Sequence, residues 1–138
     1  MANILLVEDN PGDILLTKEA FNECSQNHNI SFVKDGNEAM KYLRKSGEYS
    51  TVTTPDLILL DLNLPKKDGR EVLEEIKKDE VLKSIPVIIL STSKNDKDIH
   101  RTYELKANCY ISKPVELDTF FYIIAELNRF WLNTVELP

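Results

Sequence analysis

Four short stretches of this chain carry side chains that could do chemistry together: Glu8-Asp9, Asp61, Ser91, and Tyr110 with Lys113. Each lies at the end of an apolar run: Ile4–Val7, Leu57–Leu60, Val87–Leu90 and Cys109–Ile111. If those ends meet, three carboxylates share one place, and they cannot all stay ionised without a counter-charge. A divalent cation would supply it. The ligands on offer are oxygens, which points to a hard ion, Mg²⁺ before Mn²⁺ or Ca²⁺, and away from zinc. His28 and His100 fall in a loop and a helix, outside the set. Mg²⁺ usually keeps several waters and shares its shell with phosphate, so two or three carboxylates suggest phosphoryl chemistry. Lys113 would bring a positive charge and Ser91 a hydroxyl to phosphoryl oxygens. Asp61 would be the nucleophile, forming an acyl phosphate. Taken singly, each residue has a plainer use: a strand-end acid as turn former or N-cap, Ser91 as a cap, Lys113 as a solvated lysine, Tyr110 as packing. The chemistry rests on the combination.

The elements that must position these residues are legible from apolar pattern. Leu57–Leu60 has no alternation and reads as a strand buried on both faces, and Ile4–Val7 and Val87–Leu90 read the same way. Ile30–Val33 and Cys109–Ile111 are shorter strands. Pro11 suits the first turn of a helix, Asp13 complements its positive end, and Ile14, Leu15, Ala20 and Phe21 form an expected inward face, with the helix fading near Asn27 to Asn29. Asp35-Gly36-Asn37 turns into a helix carrying Ala39, Met40 and Leu43. Asp68-Gly69 precedes one carrying Val72, Leu73 and Ile76. Ser93 with Asp96 caps a helix through about Leu105, and Leu117, Phe120, Ile124, Leu127 and Trp131 mark a long last helix. Five alternations of strand and helix predict a doubly wound α/β fold, a parallel sheet with helices on both faces. In such sheets ligands bind at the carboxyl ends of the strands, where Asp61 stands.

Composition bounds the function. The 138 residues fit one domain, expected to span 1–138 with no output domain, and the net charge of -6 with 17 scattered basic residues disfavours a nucleic-acid partner. No apolar run approaches the roughly 20 residues of a membrane span, and Met1-Ala2-Asn3 leads straight into a strand without a signal peptide, so no membrane partner and a cytoplasmic location are expected. Cys24 and Cys109 lack metal or redox spacing and read as reduced, packed thiols. In the last helix Phe121, Ile123 and Phe130 fall off the main apolar stripe, as packed or scattered residues or as a contact surface.

Together, Leu6-Val7-Glu8-Asp9, Leu60-Asp61-Leu62-Asn63-Leu64-Pro65, Asp68-Gly69, Leu90-Ser91-Thr92 and Lys113-Pro114 resemble the motifs of the receiver domains of two-component response regulators, in their order and spacing, over nearly the whole chain. The resemblance implies a flavodoxin-like five-stranded sheet of order 2-1-3-4-5. It also implies Asp61 as phospho-acceptor, Mg²⁺ held by Glu8, Asp9, Asp61 and the Asn63 carbonyl, Ser91 and Tyr110 as the switch pair, Lys113 as the phosphoryl-binding lysine, and a cis Lys113-Pro114 bond. The implied partner is a sensor histidine kinase. Signalling would run by protein contact, onward transfer to a histidine phosphotransfer protein, or a homodimer through the fourth helix, fifth strand and fifth helix. The chain would promote its own phosphorylation and dephosphorylation without being a turnover enzyme. Within the family, Asp61-Leu62-Asn63-Leu64-Pro65-Lys66-Lys67-Asp68-Gly69-Arg70-Glu71-Val72-Leu73 and Phe130-Trp131-Leu132 resemble the small regulators partnered with bacterial, particularly cyanobacterial, phytochromes. Lys106 departs from the pattern, standing where many receivers have Gly, which implies either a strained residue or a rearranged loop before Cys109.

Other classes fit less well. A haloacid-dehalogenase-type phosphatase wants a second acid two residues after the nucleophile, where this chain has Asn63. A flavodoxin-like FMN carrier needs a phosphate-cradling loop after the first strand, where Glu8-Asp9 would repel phosphate. An unphosphorylated receiver used only for protein contact remains the alternative.

Overall fold

The computed structural model describes residues 2–23, 28–91, 96–113, 117–127 and 129. The chain alternates strand and helix throughout: β1 (Asn3–Val7), α1 (Pro11–Asn22), β2 (Asn29–Val33), α2 (Gly36–Leu43), β3 (Leu57–Leu60), α3 (Gly69–Lys78), β4 (Val87–Ser91), α4 (Asp96–Glu104), β5 (Cys109–Ser112) and α5 (Leu117–Leu127), with a short 3₁₀ turn at Gly47–Tyr49. The strands form one parallel sheet of order β2-β1-β3-β4-β5. No helix among the described residues is long and apolar enough to cross a membrane.

The unbroken apolar strands are explained by burial on both faces. Leu5, Val7, Ile58, Leu60, Val87 and Ile89 point to one side and pack with Met40 and Leu43 of α2 and Val72, Leu73 and Ile76 of α3. Ile4, Leu6, Leu57, Leu59, Ile88 and Leu90 point to the other and pack with Ile14 and Phe21 of α1 and Phe120, Ile124 and Leu127 of α5. Strand residues of period two thus feed two separate cores. Phe121 and Ile123, off the main stripe of α5, lie half-buried against the second core rather than standing free.

Two expectations for α1 are corrected. Leu15 is not inward: it is 59% exposed, and Thr17 takes the buried place, its hydroxyl donating to the Asp13 carbonyl at 2.8 Å. The 3.6-residue period carries 14, 17, 20 and 21 to the same side and 15 away from it, so apolarity alone misplaced Leu15. The helix also ends at Asn22, with Glu23 as its C-cap, earlier than Asn27 to Asn29. Cys24, Ser93, Phe130, Trp131, Leu132 and the Lys113-Pro114 bond involve positions outside the described residues. Cys109 is a free thiol.

Caps fix where the helices begin and end. Asn10 accepts from the amides of Gly12 and Asp13 at 2.9 and 3.1 Å, with Pro11 at the first helical position. Asp35 and Asp68 cap α2 and α3. At the other end of α4, Lys106 donates to Tyr103 and Ala107 to Thr102, the paired bonds of a Schellman ending, which requires a left-handed residue. Lys106 supplies it at φ 71°, as Lys45 does after α2 at φ 56°. The missing glycine is therefore answered by a lysine held in a glycine conformation.

Candidate metal and phosphoryl site

β2 pairs with one side of β1 and β3 with the other, so the chain turns away in opposite directions after the neighbouring strands β1 and β3. That switch point opens a crevice at the carboxyl ends. Backbone bonds carry the ladder one residue past each strand, the Glu8 amide donating to the Val33 carbonyl and the Asp61 amide to the Val7 carbonyl, both at 3.0 Å. Both acids are thereby seated on the rigid sheet. Each of Glu8, Asp9 and Asp61 presents a carboxylate oxygen, the three lying within 4.8 Å of one another. Glu8 and Asp61 are buried and Asp9 is exposed.

Asp61 Oδ1 accepts from the Asn63 amide at 3.1 Å, which folds the loop after β3 back over the acid. Helix α3 starts close against it. A Cβ at Gly69 would stand 2.2 Å from the Asp61 carbonyl oxygen, so only glycine lets the helix begin there.

Lys113 enters from the end of β5 and is itself buried, with its amide donating to the Ser91 carbonyl at 2.6 Å. Its Nζ donates to Glu8 Oε2 at 2.6 Å and Asp13 Oδ2 at 2.9 Å, and stands 3.8 Å from Asp61 Oδ2. Burial pulls the ammonium towards its neutral form, but the Glu8 and Asp13 hydrogen bonds and the charges of Glu8 and Asp61 outweigh it and hold its pKa above the ordinary lysine value. Burial pushes Glu8 above the usual carboxylate range, against the opposing pull of Lys113.

The structure thus gathers Glu8, Asp9, Asp61 and Lys113 into one cluster. Ser91, fully buried, is the last residue of β4 and joins through its carbonyl. Asn63 joins through its amide. Tyr110 is half-buried against the core under α2 and α3, its amide donating to the Tyr103 hydroxyl of α4 at 3.1 Å. Asp13 is the member that sequence reasoning assigned elsewhere, to the positive end of α1. Its place in the first turn of a helix that starts at the mouth of the crevice was the available signal.

The residues fit a divalent cation. Glu8, Asp13 and Asp61 surround the ammonium of Lys113, and Asp9 sets its oxygen beside those of Glu8 and Asp61, so that even with Glu8 pushed up to about 7 the site holds an excess of negative charge over its one cation. Taking up a dication would relieve most of that excess. With oxygen donors throughout and no His or Cys in the cluster, the donor set suits Mg²⁺ or Mn²⁺.

Comparison with known proteins gives concordant results. The profile of the family described as "Response regulator receiver domain" matches residues 4–125. Response regulator Rcp1 of Synechocystis is 48% identical over 135 residues, covering 98% of this chain and 92% of that protein. The crystal structure of a phosphorylated cyanobacterial phytochrome response regulator, RcpA, superimposes with a TM-score of 0.94 at 55% identity, covering 99% of this chain and 98% of that one. The Mn²⁺-bound form of Rcp1 superimposes with a TM-score of 0.94 at 47% identity, covering 100% and 99%.

Proposed function

This chain belongs to the response regulator receiver domain family, and from that premise we propose that it accepts a phosphoryl group on Asp61 from a sensor histidine kinase, in a Mg²⁺-dependent reaction. The observation that carries the proposal is the packing of the Glu8, Asp9 and Asp61 oxygens within 4.8 Å, with Lys113 Nζ 3.8 Å from Asp61. Glu8, Asp9, Asp61 and the Asn63 carbonyl would hold the cation, which when bound neutralises charge on the transferring phosphoryl oxygens.

In the proposed step the Asp61 carboxylate attacks phosphorus. An O–P bond forms as the P–N bond to the kinase histidine breaks, and the imidazole keeps the electron pair and takes up a proton. Lys113 swings its charge from Glu8 and Asp13 towards the new phosphoryl oxygens, and the Ser91 hydroxyl donates to another. Tyr110 follows Ser91 inward, so that charge at the crevice is read out at the β5 and α4 surface. Such a switch needs two packings of similar energy with the phosphoryl contacts favouring one.

The kinase we assign is a phytochrome. The likeness to phytochrome-linked RcpA along almost the entire chain supports it. Residues 1–138 act as a single receiver domain in the cytoplasm, passing the signal by protein contact, by onward transfer to a histidine phosphotransfer protein, or through a homodimer built on α4, β5 and α5. The chain's own chemistry is to take and release its phosphoryl group rather than turn over a substrate. The test is phosphotransfer from a radiolabelled cyanobacterial phytochrome kinase. Acid-labile label moving to the wild type but not to Asp61→Asn is expected. Label appearing equally in the variant, or in neither, would reject the assignment.

A further inference from the structure

The loop that joins β3 to α3 carries the Asn63 carbonyl that would complete the proposed metal site, and it is closed on itself: the Gly69 and Leu64 amides both donate to the Leu62 carbonyl, at 2.9 and 3.2 Å. Its tip, Asn63 to Lys66, is mostly solvent-facing, with Asn63, Pro65 and Lys66 exposed. Lys66 is held at φ 65°, a left-handed conformation that costs a non-glycine residue about 1–2 kcal/mol. A loop of this kind needs a support from outside itself.

That support is the N-terminus of α2. A Cβ at Gly36 would lie 2.0 Å from the Lys67 carbonyl oxygen and 2.7 Å from its carbonyl carbon, closer than any real contact. The helix therefore rests directly on the loop's backbone. Beside it, Asp35 Oδ1 caps α2 by accepting from the Glu38 amide at 2.8 Å, while Oδ2 faces Lys66 Nζ at 3.6 Å. The helix cannot easily retreat, because Ala39, Met40 and Leu43 on its inner face are buried in the core. A side chain at position 36 would have to displace the loop instead.

We infer that Asp35 and Gly36 are positioning residues of the metal site, clamping the far end of the loop so that the Asn63 carbonyl is presented in a fixed place. Neither residue touches the acid cluster. The inference rests on the proposed Mg²⁺ site and adds to it a remote support. Mg²⁺ demands near-ideal octahedral geometry whereas Ca²⁺ tolerates irregular shells, so a loosened clamp should cost Mg²⁺ more than Ca²⁺.

The experiment is calorimetric titration of the full chain with Mg²⁺, Mn²⁺ and Ca²⁺, comparing wild type, Gly36→Ala, Asp35→Asn and Ile124→Ala. Gly36→Ala should weaken Mg²⁺ about tenfold, as outer supports of metal ligands commonly do, and lower the Mg²⁺/Ca²⁺ ratio. Ile124→Ala, in the core on the other face of the sheet, should lower Tm but keep wild-type affinity and ratio while folded. Asp35→Asn keeps an equally good cap but loses the charge facing Lys66, and should cost about two- to threefold. Wild-type affinity in folded Gly36→Ala overturns the clamp. If Gly36→Ala does not fold, wild-type affinity in Asp35→Asn overturns it. A wild type that takes up no divalent cation refutes the metal site, and the clamp with it, a result distinct from variants that match a metal-binding wild type.

Discussion

Replacing Lys113 by Met tests the electrostatic account of the crevice directly, because methionine keeps most of the apolar stem and removes only the charge. The Glu8 side chain is 3% exposed and that of Lys113 11%, with 2.6 Å between their charged atoms. Removing one partner of a buried pair costs about 3–5 kcal/mol, since the other charge is left without compensation. The Asp13 side chain is 38% exposed, so losing its bond adds about 0.5 kcal/mol at most. Glu8 can escape part of the penalty by taking a proton, which puts the expected loss near the lower end, at about 3 kcal/mol. For a chain of 138 residues that corresponds to a Tm lower by about 10 °C. A dication among the same carboxylates replaces the missing charge, and the variant no longer repels it. Saturating Mg²⁺ should therefore raise the variant's Tm more than the wild type's and narrow the gap. Thermal melts followed by circular dichroism, with and without Mg²⁺, read both quantities. A gap of under about 2 °C in the absence of metal, which is well under 1 kcal/mol, would refute the claim that Lys113 compensates buried acids. A gap that Mg²⁺ widens would refute the claim that cation and lysine serve the same charges.

Two further outcomes follow from geometry away from the crevice. The hydrogen bond that the Tyr49 hydroxyl donates to Glu38 Oε2, at 2.7 Å, together with burial and the charges of Glu38, Glu48 and Asp35, pushes that phenol up to about 12. Its folded pKa lies above the unfolded value of about 10, so this contribution to stability is complete below the unfolded pKa and is lost as pH rises through the folded one. Alkaline titration by tyrosinate absorbance should show one late step among the five tyrosines, absent in Tyr49→Phe; its persistence there would assign it elsewhere. Lys106→Gly should stabilise the fold by about 0.5–1 kcal/mol in urea unfolding, the strain relieved at φ 71° exceeding the entropy glycine adds to the unfolded chain. A loss of stability would mean that the lysine side chain contributes packing that outweighs its backbone.

Most of the fold was legible because β1, β3 and β4 are continuous apolar runs, the pattern of strands buried on both faces, and because Pro11, Asp35-Gly36 and Asp68-Gly69 announce the helices that follow. The acid cluster was legible for the same reason: knowing that the strands are parallel brings their carboxyl ends together. What escaped was set by geometry rather than by residue type. Leu15 is as apolar as Ile14 yet faces water, since adjacent helical residues lie about 100° apart and only the packed neighbours decide which is buried. Asp13 looked like an ordinary first-turn acid, and only the arrival of Lys113 from the far end of the chain gives it a partner. The departure at Lys106 was visible as a missing glycine, but its resolution as a Schellman ending depends on the bonds from residues 106 and 107 to α4. Gly36 read as a turn former, and its contact with the Lys67 carbonyl is a tertiary fact that no local pattern encodes.

The central claim is that Asp61 takes a phosphoryl group with the help of a divalent cation among Glu8, Asp9 and Asp61. Intact mass after incubation with acetyl phosphate, with and without Mg²⁺, on wild type and Asp61→Asn, tests it most directly. The account predicts the gain of one phosphoryl group by the wild type in the presence of Mg²⁺ and by no other sample. A gain that survives Asp61→Asn, or one indifferent to Mg²⁺, would contradict it, and no gain under any condition would make the chain a contact module that does not use its acids.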